Sequence, residues 1–292
     1  MDQKTEVRGK SAEDKREKVI FFGNGPLSEY ALAVIEQECQ VIFHARRKED
    51  LEEVCRLKRE NPEAHGVLAS FGVLIKPEVL DLFEPEGILN IHPSLLPKYR
   101  GASPIESAIL AGDDEFGISV MKLAKRMDAG PIYMQATLSE CPIEKDLLYR
   151  ELAKVGARMV LMVIKTDREA DPGTLSETEK RWLEKVLHPT QQDEAQATYC
   201  GKLDKSMSQL TPEKDTAKQT LRKIVAYQGY PKPKYAFWGV SCIILDAHIL
   251  KQGEEALLTI PCADGALVAV ERLQPEGRKA MDAKAFLNGY KR

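Results

Sequence analysis

Three polar residues are of the types that catalyse acyl transfer: Asn90, His92 and Asp128. Asn90 offers an amide donor for a developing oxyanion, and His92 offers a base that titrates near neutrality. Asp128 lies in a Met-Asp-Ala-Gly turn, from which a carboxylate can reach back to orient an imidazole. Together they predict acyl-transfer chemistry. A strand-end histidine hydrogen-bonded for packing, beside an ordinary turn aspartate, fits the residue types equally well.

These residues can meet only if a strand delivers them to a ligand crevice. The apolar run at residues 87–91 predicts such a strand, with Asn90 and His92 on one face of its end. Around it, short apolar runs alternate with amphipathic segments, ending in a long helix predicted over residues 145–165. This alternation is typical of an α/β fold with a mainly parallel sheet, whose strands end at the crevice. We therefore expect a Rossmann-like N-terminal domain.

The first predicted strand ends in a Gly-Asn-Gly-Pro turn at residues 23–26, which resembles the start of a dinucleotide-binding turn. However, Ser28 stands where the third glycine of G-x-G-x-x-G belongs, and no acidic residue ends the second strand. A lone G-x-G is a weak signal. The sequence favours a plain tight turn before a helix that Ser28 caps.

The pattern changes after residue 165. Residues 166–197 are polar and rich in turn formers, and we interpret them as a linker around one short helix at 176–187. A helix is then predicted over 211–228, followed by successive strands and a short closing helix. This indicates a smaller C-terminal domain of β-barrel type, similar to an OB fold. The expected division is a solvated tail (1–17), a catalytic domain (18–165), a linker (166–197) and the C-terminal domain (198–292).

Composition limits the protein class. Of the 292 residues, 43% are apolar and 30% charged, which excludes a wholly disordered chain. The longest aliphatic run, residues 159–164, is far shorter than a membrane span. The N-terminus has no apolar segment typical of a secretory signal, and the six cysteines show neither a C-x-x-C pair nor zinc-ligand spacing. We expect a cytoplasmic protein with free thiols, no metal and no membrane contact.

Charge differs between the two halves of the chain. Residues 198–292 hold 15 Lys and Arg against 10 Asp and Glu, a net charge of +5, whereas the rest has a net charge of −8. A basic half suggests a polyanionic partner. A surplus of this size also arises on an ordinary solvated face. The candidate contacts are Lys202, Lys205, Lys214, Lys218, Arg222, Lys223, Lys232 and Lys234.

Residues 87–130 closely resemble the folate-dependent formyltransferase family, and within it the members that formylate methionyl-tRNA. Those proteins carry Asn-x-His-x-Ser-Leu-Leu-Pro, an aromatic-Arg-Gly-Ala-x-Pro-Ile motif, Ala-Gly-Asp and a Gly-x-Asp-x-Gly turn. Here the matching segments are 90–97, 99–105, 111–113 and 127–130. A second match, at 273–283 and 286–289, is similar to the C-terminal barrel of the tRNA-formylating members.

The resemblance implies an activity and a role for each residue. The donor would be 10-formyltetrahydrofolate and the acceptor the amine of initiator methionyl-tRNA, with no metal involved. His92, held by Asp128, would help to remove the proton of the attacking amine, and Asn90 would donate to the oxyanion. Residues 70–74 would lie near the folate, and we expect a monomer. The residues that match the folate-binding loop are Ser94, Leu95, Leu96 and Pro97.

The sequence departs from the family after the second strand. A basic insertion associated with the tRNA acceptor arm is reduced to Arg46, Arg47 and Lys48. Two alternatives therefore stand beside tRNA formylation: a formyltransferase for an amino-sugar nucleotide or another small amine, and a non-catalytic RNA- or folate-binding protein. The C-terminal match disfavours the first, and the complete set of three polar residues disfavours the second. Arg100 and Lys98 flank the site as either solvated charges or contacts to the 3′ end of tRNA.

Overall fold

The computed structural model describes residues 16–138, 144–169 and 188–290. The strands are β1 (Lys18–Gly23), β2 (Gln40–Ala45), β3 (His65–Ala69), β4 (Ile88–His92), β5 (Arg100–Gly101), β6 (Phe116–Lys122), β7 (Ile132–Leu138), β8 (Tyr199–Cys200), β9 (Lys234–Phe237), β10 (Val240–Ile249), β11 (Thr259–Pro261), β12 (Leu267–Pro275) and β13 (Met281–Asp282). The helices are α1 (Pro26–Glu38), α2 (Leu51–Glu60), α3 (Pro77–Leu80), α4 (Pro104–Ala111), α5 (Lys145–Glu169), α6 (Ala217–Ala226) and α7 (Ala283–Tyr290).

The described residues form two compact units. Unit 1 falls within Met1–Arg100, Gly117–Leu138 and Tyr149–Thr198, and unit 2 within Gly101–Phe116, Ser139–Leu148 and Tyr199–Arg292. The helix predicted over 176–187 lies outside the described residues, as does most of the predicted tail. No described helix is long and apolar enough to cross a membrane.

Unit 1 is built on a six-stranded sheet in the order β2-β1-β3-β4-β6-β7. β1 pairs in parallel with β2 and β3, and β3 pairs in parallel with β4. β6 runs antiparallel to β4 and places Ser119 opposite His92. The predicted mainly parallel sheet is therefore confirmed, and its central strand β4 carries Asn90 and His92 at its carboxyl end, next to the end of β3.

The first turn differs from the prediction in one detail. Gly25, with φ 89°, is the N-cap of α1, and Pro26 occupies the first turn, where its fixed φ suits a helix. Ser28 lies inside the helix, fully buried, so the prediction that it caps α1 is wrong. Its hydroxyl stands 2.3 Å from the place where a Cβ on Gly23 would lie, so glycine permits this close approach of helix and strand.

Unit 2 has a five-stranded antiparallel sheet in the order β11-β12-β10-β9, with β13 beside β12. This confirms the smaller β-rich second domain. The helix predicted over 211–228 is shorter, because Thr216 and Gln219 form a capping box that begins α6 at Ala217. The strand predicted over 236–250 is a hairpin instead, since Trp238 and Gly239 both take positive φ between β9 and β10.

Unit 2 also includes α4 and the first turn of α5, although the sequence predicted both within residues 18–165. The half-buried Lys145 ammonium donates to Glu106 Oε1 at 3.3 Å, to Ala226 O at 2.9 Å and to Gln228 O at 2.5 Å. Burial lowers the pKa of Lys145, and nearby Glu106 opposes that effect. These contacts tie together segments that lie about 80 residues apart, a pairing that no local pattern predicts.

The described cysteines Cys39, Cys55, Cys200, Cys242 and Cys262 are free thiols, as predicted. Burial raises the pKa of both Cys39 and Cys242 to about 11, so these two thiols are protonated at neutral pH. Cys141 lies outside the described residues.

Candidate active site

Asn90, His92 and Asp128 meet in unit 1. The Asp128 carboxylate lies between the other two: its Oδ2 is 3.7 Å from His92 Nδ1, and its Oδ1 accepts a hydrogen bond from Asn90 Nδ2 at 3.4 Å. Asn90 and His92 are each 4% exposed, and β4 fixes their spacing. Thirty-eight positions separate Asn90 from Asp128, so the fold and not local sequence brings the three side chains together.

The imidazole of His92 is fixed from its other side by the main chain. Nε2 lies 3.0 Å from the carbonyl oxygen of Tyr99, and Tyr99 has φ 57°. A carbonyl oxygen only accepts hydrogen bonds, so Nε2 must carry a proton in this arrangement. In the neutral ring the free lone pair is therefore on Nδ1, facing Asp128. A proton taken up there creates an imidazolium that the carboxylate stabilises.

The turn that carries Asp128 is held in an uncommon conformation. Asp128 has φ 47°, in the left-handed region that aspartate tolerates better than most residues. A Cβ on Gly130 would lie 1.9 Å from Lys122 O, so the turn passes close to β6 only because residue 130 is glycine. Gln192 Nε2 donates to Asp128 O at 2.8 Å and to Gly130 O at 2.7 Å. No sequence pattern predicts Gln192 at this site.

The predicted folate loop follows β4 directly and is tightly bonded. Ser119 Oγ donates to Ser94 O at 2.6 Å and accepts from Leu96 N at 3.1 Å. Gln135 Nε2 donates to both Leu96 O and Ser119 Oγ. The hydroxyl of Ser94 donates to Lys98 O at 2.6 Å. Since the side chains of Ser94 and Leu96 are buried, this loop presents mainly its shape and main chain to a ligand.

The remaining two loop residues lie closer to the surface. Leu95 packs against Gly117, where a Cβ would approach the leucine side chain to 2.4 Å. Leu95 and Pro97 are both partly exposed. Whether the four loop residues contact folate stays a prediction.

The position of Arg100 corrects both interpretations made from the sequence, a solvated charge and a contact to tRNA. Arg100 is fully buried, with 0% of the residue exposed, so it is neither a solvated charge nor available to a tRNA. Its guanidinium donates to Gln192 Oε1 through Nε at 3.0 Å and through Nη2 at 2.8 Å. It also makes a two-pronged pair with Glu194, at 3.1 and 3.0 Å. Lys98, by contrast, is exposed.

Glu194 joins two arginines. Its Oε2 also accepts from Arg126 Nη2 at 2.6 Å, on the turn that leads to Asp128. Hydrogen bonds from Arg100 and then Arg126 lower the pKa of Glu194 to about 2. The carboxylate therefore stays ionised throughout the neutral and mildly acidic range.

Glu194→Gln should lower stability in a pH-dependent way. The folded-state pKa is below the ordinary value of 4.5, so this carboxylate stabilises the fold above about pH 4.5 and loses that effect as the pH falls toward 2. The wild type should therefore exceed the variant in its free energy of unfolding at pH 7, and the difference should shrink below about pH 4.5. Urea unfolding at stepped pH measures this. A difference that stays constant down to acid pH would contradict the ionic contact.

The loop after β3, residues 70–76, is bonded to the first glycine turn of unit 1. Asn24 N donates to Ser70 O at 3.2 Å, which ties the first glycine turn to this loop. Ser70 and Gly72 take φ of 52° and 68°, and Phe71 is buried. Leu74 is 83% exposed. Because β3 and β4 are parallel neighbours, this loop leaves the sheet at the edge where His92 ends β4; that residues 70–74 lie near the folate stays a prediction.

The arrangement of Asn90, His92 and Asp128 can support acyl transfer. It contains an amide donor, an imidazole with a defined free nitrogen, and a carboxylate that can stabilise the protonated ring. Among the described residues, no group of three or more His, Cys, Asp or Glu side chains could hold a metal ion.

Two family models match the chain. One, described as formyl transferase, matches residues 6–164, and the other, described as the formyl transferase C-terminal domain, matches residues 202–291. A methionyl-tRNA formyltransferase from Methylococcus capsulatus is 33% identical over 264 residues, covering 85% of this chain and 78% of that protein. One from Thermus thermophilus is also 33% identical, covering 80% and 73%.

Solved structures share the fold at low sequence identity. HypX from Aquifex aeolicus, in complex with tetrahydrofolic acid, superposes with a TM-score of 0.67 at 19% identity; the match covers 93% of this chain, which spans about half of HypX (47%). A methionyl-tRNA formyltransferase from Clostridium thermocellum gives 0.61 at 16% identity, covering 89% and 98%. An N-formyltransferase from Helicobacter canadensis, bound to folinic acid and dTDP-3-aminofucose, gives 0.58 at 15% identity, covering 89% and 99%.

Proposed function

The chain belongs to the formyl transferase family, with both its N-terminal and its C-terminal domain, and on this basis we propose that it transfers the formyl group of 10-formyltetrahydrofolate to the amino group of initiator methionyl-tRNA. This reaction supports translation initiation and would take place in the cytoplasm, where charged tRNA is used. The observation that carries the proposal is the contact of one carboxylate, Asp128, with both Asn90 and His92 at the end of β4.

The proposed mechanism assigns each side chain one task. The methionyl amine attacks the formyl carbon, and Asn90 donates to the oxygen that becomes negative. His92 takes the amine proton on Nδ1, and Asp128 stabilises the resulting imidazolium. When the bond from the formyl carbon to N10 of the folate breaks, His92 returns that proton to N10. The proton balance closes, and the products are the N-formylated tRNA and tetrahydrofolate.

The donor end of the site is supported by two loops of unit 1. The rigid loop of Ser94, Leu95, Leu96 and Pro97 follows His92 directly, and its hydrogen bonds to Ser119 fix its shape. The exposed Leu74 offers an apolar surface suited to the flat ring of a pterin. The match to HypX bound to tetrahydrofolic acid agrees with a folate donor on this fold.

Binding of the tRNA would rely mainly on unit 2. After β2, Asp50 accepts main-chain hydrogen bonds from Arg46 and Arg47 and pairs with the Arg47 side chain, so the reduced basic segment forms a tight turn. Much of the tRNA affinity would then come from exposed lysines of unit 2. Of the predicted contacts, Lys223 is already paired with Asp215 at 2.6 Å and Arg222 lies against Ala111 O. The exposed ones are Lys202, Lys205, Lys214, Lys218 and Lys232.

Changing Lys214 and Lys218 together to glutamine should weaken tRNA binding and flatten its salt dependence. Each phosphate contact contributes about 0.7–0.9 to the slope of log affinity against log salt concentration, so the double variant should lose about 1.4–1.8. Filter binding across a salt series measures the slope. The matched control is Lys251→Gln, an exposed lysine between β10 and β11. An unchanged slope in the double variant would remove these lysines from the interface.

The proposed activity is tested by supplying 10-formyltetrahydrofolate and charged initiator tRNA to the purified protein. N-formylmethionine should be recovered after the aminoacyl bond is hydrolysed. The runner-up function, formylation of an amino-sugar nucleotide, is favoured by the short segment after β2 and by the fold shared with the Helicobacter canadensis enzyme. The C-terminal domain match over 202–291 and the relatives that are 33% identical favour tRNA.

A further inference from the structure

Residues 190–198 of unit 1 are hydrogen-bonded to two parts of that unit that lie beside the active site. Thr190 and Ile132 exchange two main-chain hydrogen bonds of 2.8 Å. Thr198 N donates to Pro97 O at 3.1 Å, and Thr198 O accepts from Arg100 N at 2.9 Å. The hydroxyl of Thr198 accepts from Tyr99 N at 2.8 Å. This segment is therefore bonded to the loop that fixes His92 as well as to the strand that follows the Asp128 turn.

Between these two anchor points, the segment holds the Asp128 turn directly. One amide group, Nε2 of Gln192, bonds the carbonyls of both Asp128 and Gly130. The left-handed conformation of Asp128 benefits from this support, because it costs aspartate more than it costs glycine, even though aspartate tolerates it better than most residues. This backbone conformation sets the direction of the Asp128 Cα–Cβ bond and so the positions that its carboxylate can reach.

Arg100 determines which way the Gln192 amide points. Two N–H groups of the buried guanidinium require an acceptor, so Oε1 must face Arg100 and Nε2 must face the turn. The same guanidinium holds Glu194, which binds Arg126 on the near side of the turn. A single buried arginine thus supports both ends of residues 126–130.

We propose that Gln192, oriented by Arg100, is a positioning residue that sets the Asp128 carboxylate against His92. It acts through the main chain of the turn and touches neither substrate. The expected effect on kcat rests on the proposed function. The structural consequence, the placement of Asp128 beside the His92 ring, can be observed without turnover.

Gln192→Glu separates this role from a general need for Arg100 to be paired. The glutamate keeps an acceptor for the guanidinium but removes both donors to the turn, so the fold should persist while the turn shifts. We expect kcat to fall about 10²-fold, the loss typical of a displacement of about 1 Å at a catalytic group. The KM for both substrates should stay within about twofold, since binding does not use the turn. Gln192→Met, which adds no charge, should lower kcat in the same way, and because it also removes the acceptor for Arg100 it should lower stability as well.

Two further measurements complete the test. The ¹⁵N shift of His92 Nδ1, identified by its loss in His92→Gln, should move in both Gln192 variants in the same direction as in Asp128→Asn. The control Gln228→Leu removes a glutamine bond of the same type, to Leu245 O in unit 2, and should leave the ¹⁵N shift and kcat unchanged. If the His92 shift and kcat of folded Gln192→Glu match the wild type, the inference is overturned. An inactive wild type would overturn the proposed function, and the ¹⁵N comparison would still decide the role of Gln192.

Discussion

His92→Ala should lower kcat for formyl transfer by about 10²–10⁴-fold, the contribution expected of a positioned general base and acid. This loss is expected because His92 is the group proposed to take the amine proton and return it to the folate nitrogen. Nε2 of the ring is held by Tyr99 O, so only Nδ1 is available for this step. Single-turnover formylation with saturating donor and tRNA measures the chemical step directly.

The matched control is His248→Ala. This histidine lies on β10 in unit 2, where it pairs with Glu254 on the surface. Its removal should leave kcat within about twofold of the wild type, since its ion pair is exposed and contributes little. Affinity for tRNA should be unchanged in both variants. Wild-type transfer by a folded His92→Ala protein would exclude His92 from the mechanism.

Asn90→Ala is expected to lower kcat by about 10²–10³-fold, the effect of removing one donor to an oxyanion. In the free protein the Asn90 amide bonds Asp128 at 3.4 Å, a long contact that leaves a second N–H for the developing charge. Because that charge exists only in the transition state, KM should change little.

A control for the asparagine change is Asn61→Ala, which removes an amide bond to Leu57 O at the end of α2. It should cost stability at that helix end without affecting the rate of transfer. Should Asn90→Ala instead raise KM with kcat intact, Asn90 would be a substrate-binding residue and not an oxyanion donor.

The parts of the fold that follow local patterns were predictable. The strand ending at Asn90 and His92 is a run of apolar residues closed by polar ones, and the pattern located it to within a residue. The start of α1 was misplaced because serine is a common N-cap residue, whereas here Gly25 is the N-cap and Pro26 begins the helix.

The candidate site was predictable only in part. Asn90, His92 and Asp128 were found because their types and a family resemblance pointed to them, and the structure places them together. Gln192 was not found, since a glutamine in a polar stretch carries no signal until its two carbonyl partners are known. Arg100 was misread for a related reason: arginines are rarely fully buried, and its partners lie more than 90 positions away.

Methionyl-tRNA, and not a small amine, is the acceptor that we propose for this site. A competition experiment tests this proposal most directly: labelled 10-formyltetrahydrofolate is given to the protein with charged initiator tRNA and a dTDP-linked amino sugar in one reaction, and the label is followed into each acceptor. We expect the label to enter the methionyl-tRNA fraction, and His92→Ala to reduce the rate of its appearance there by at least about 10²-fold. Label found in the amino sugar alone would contradict the proposal.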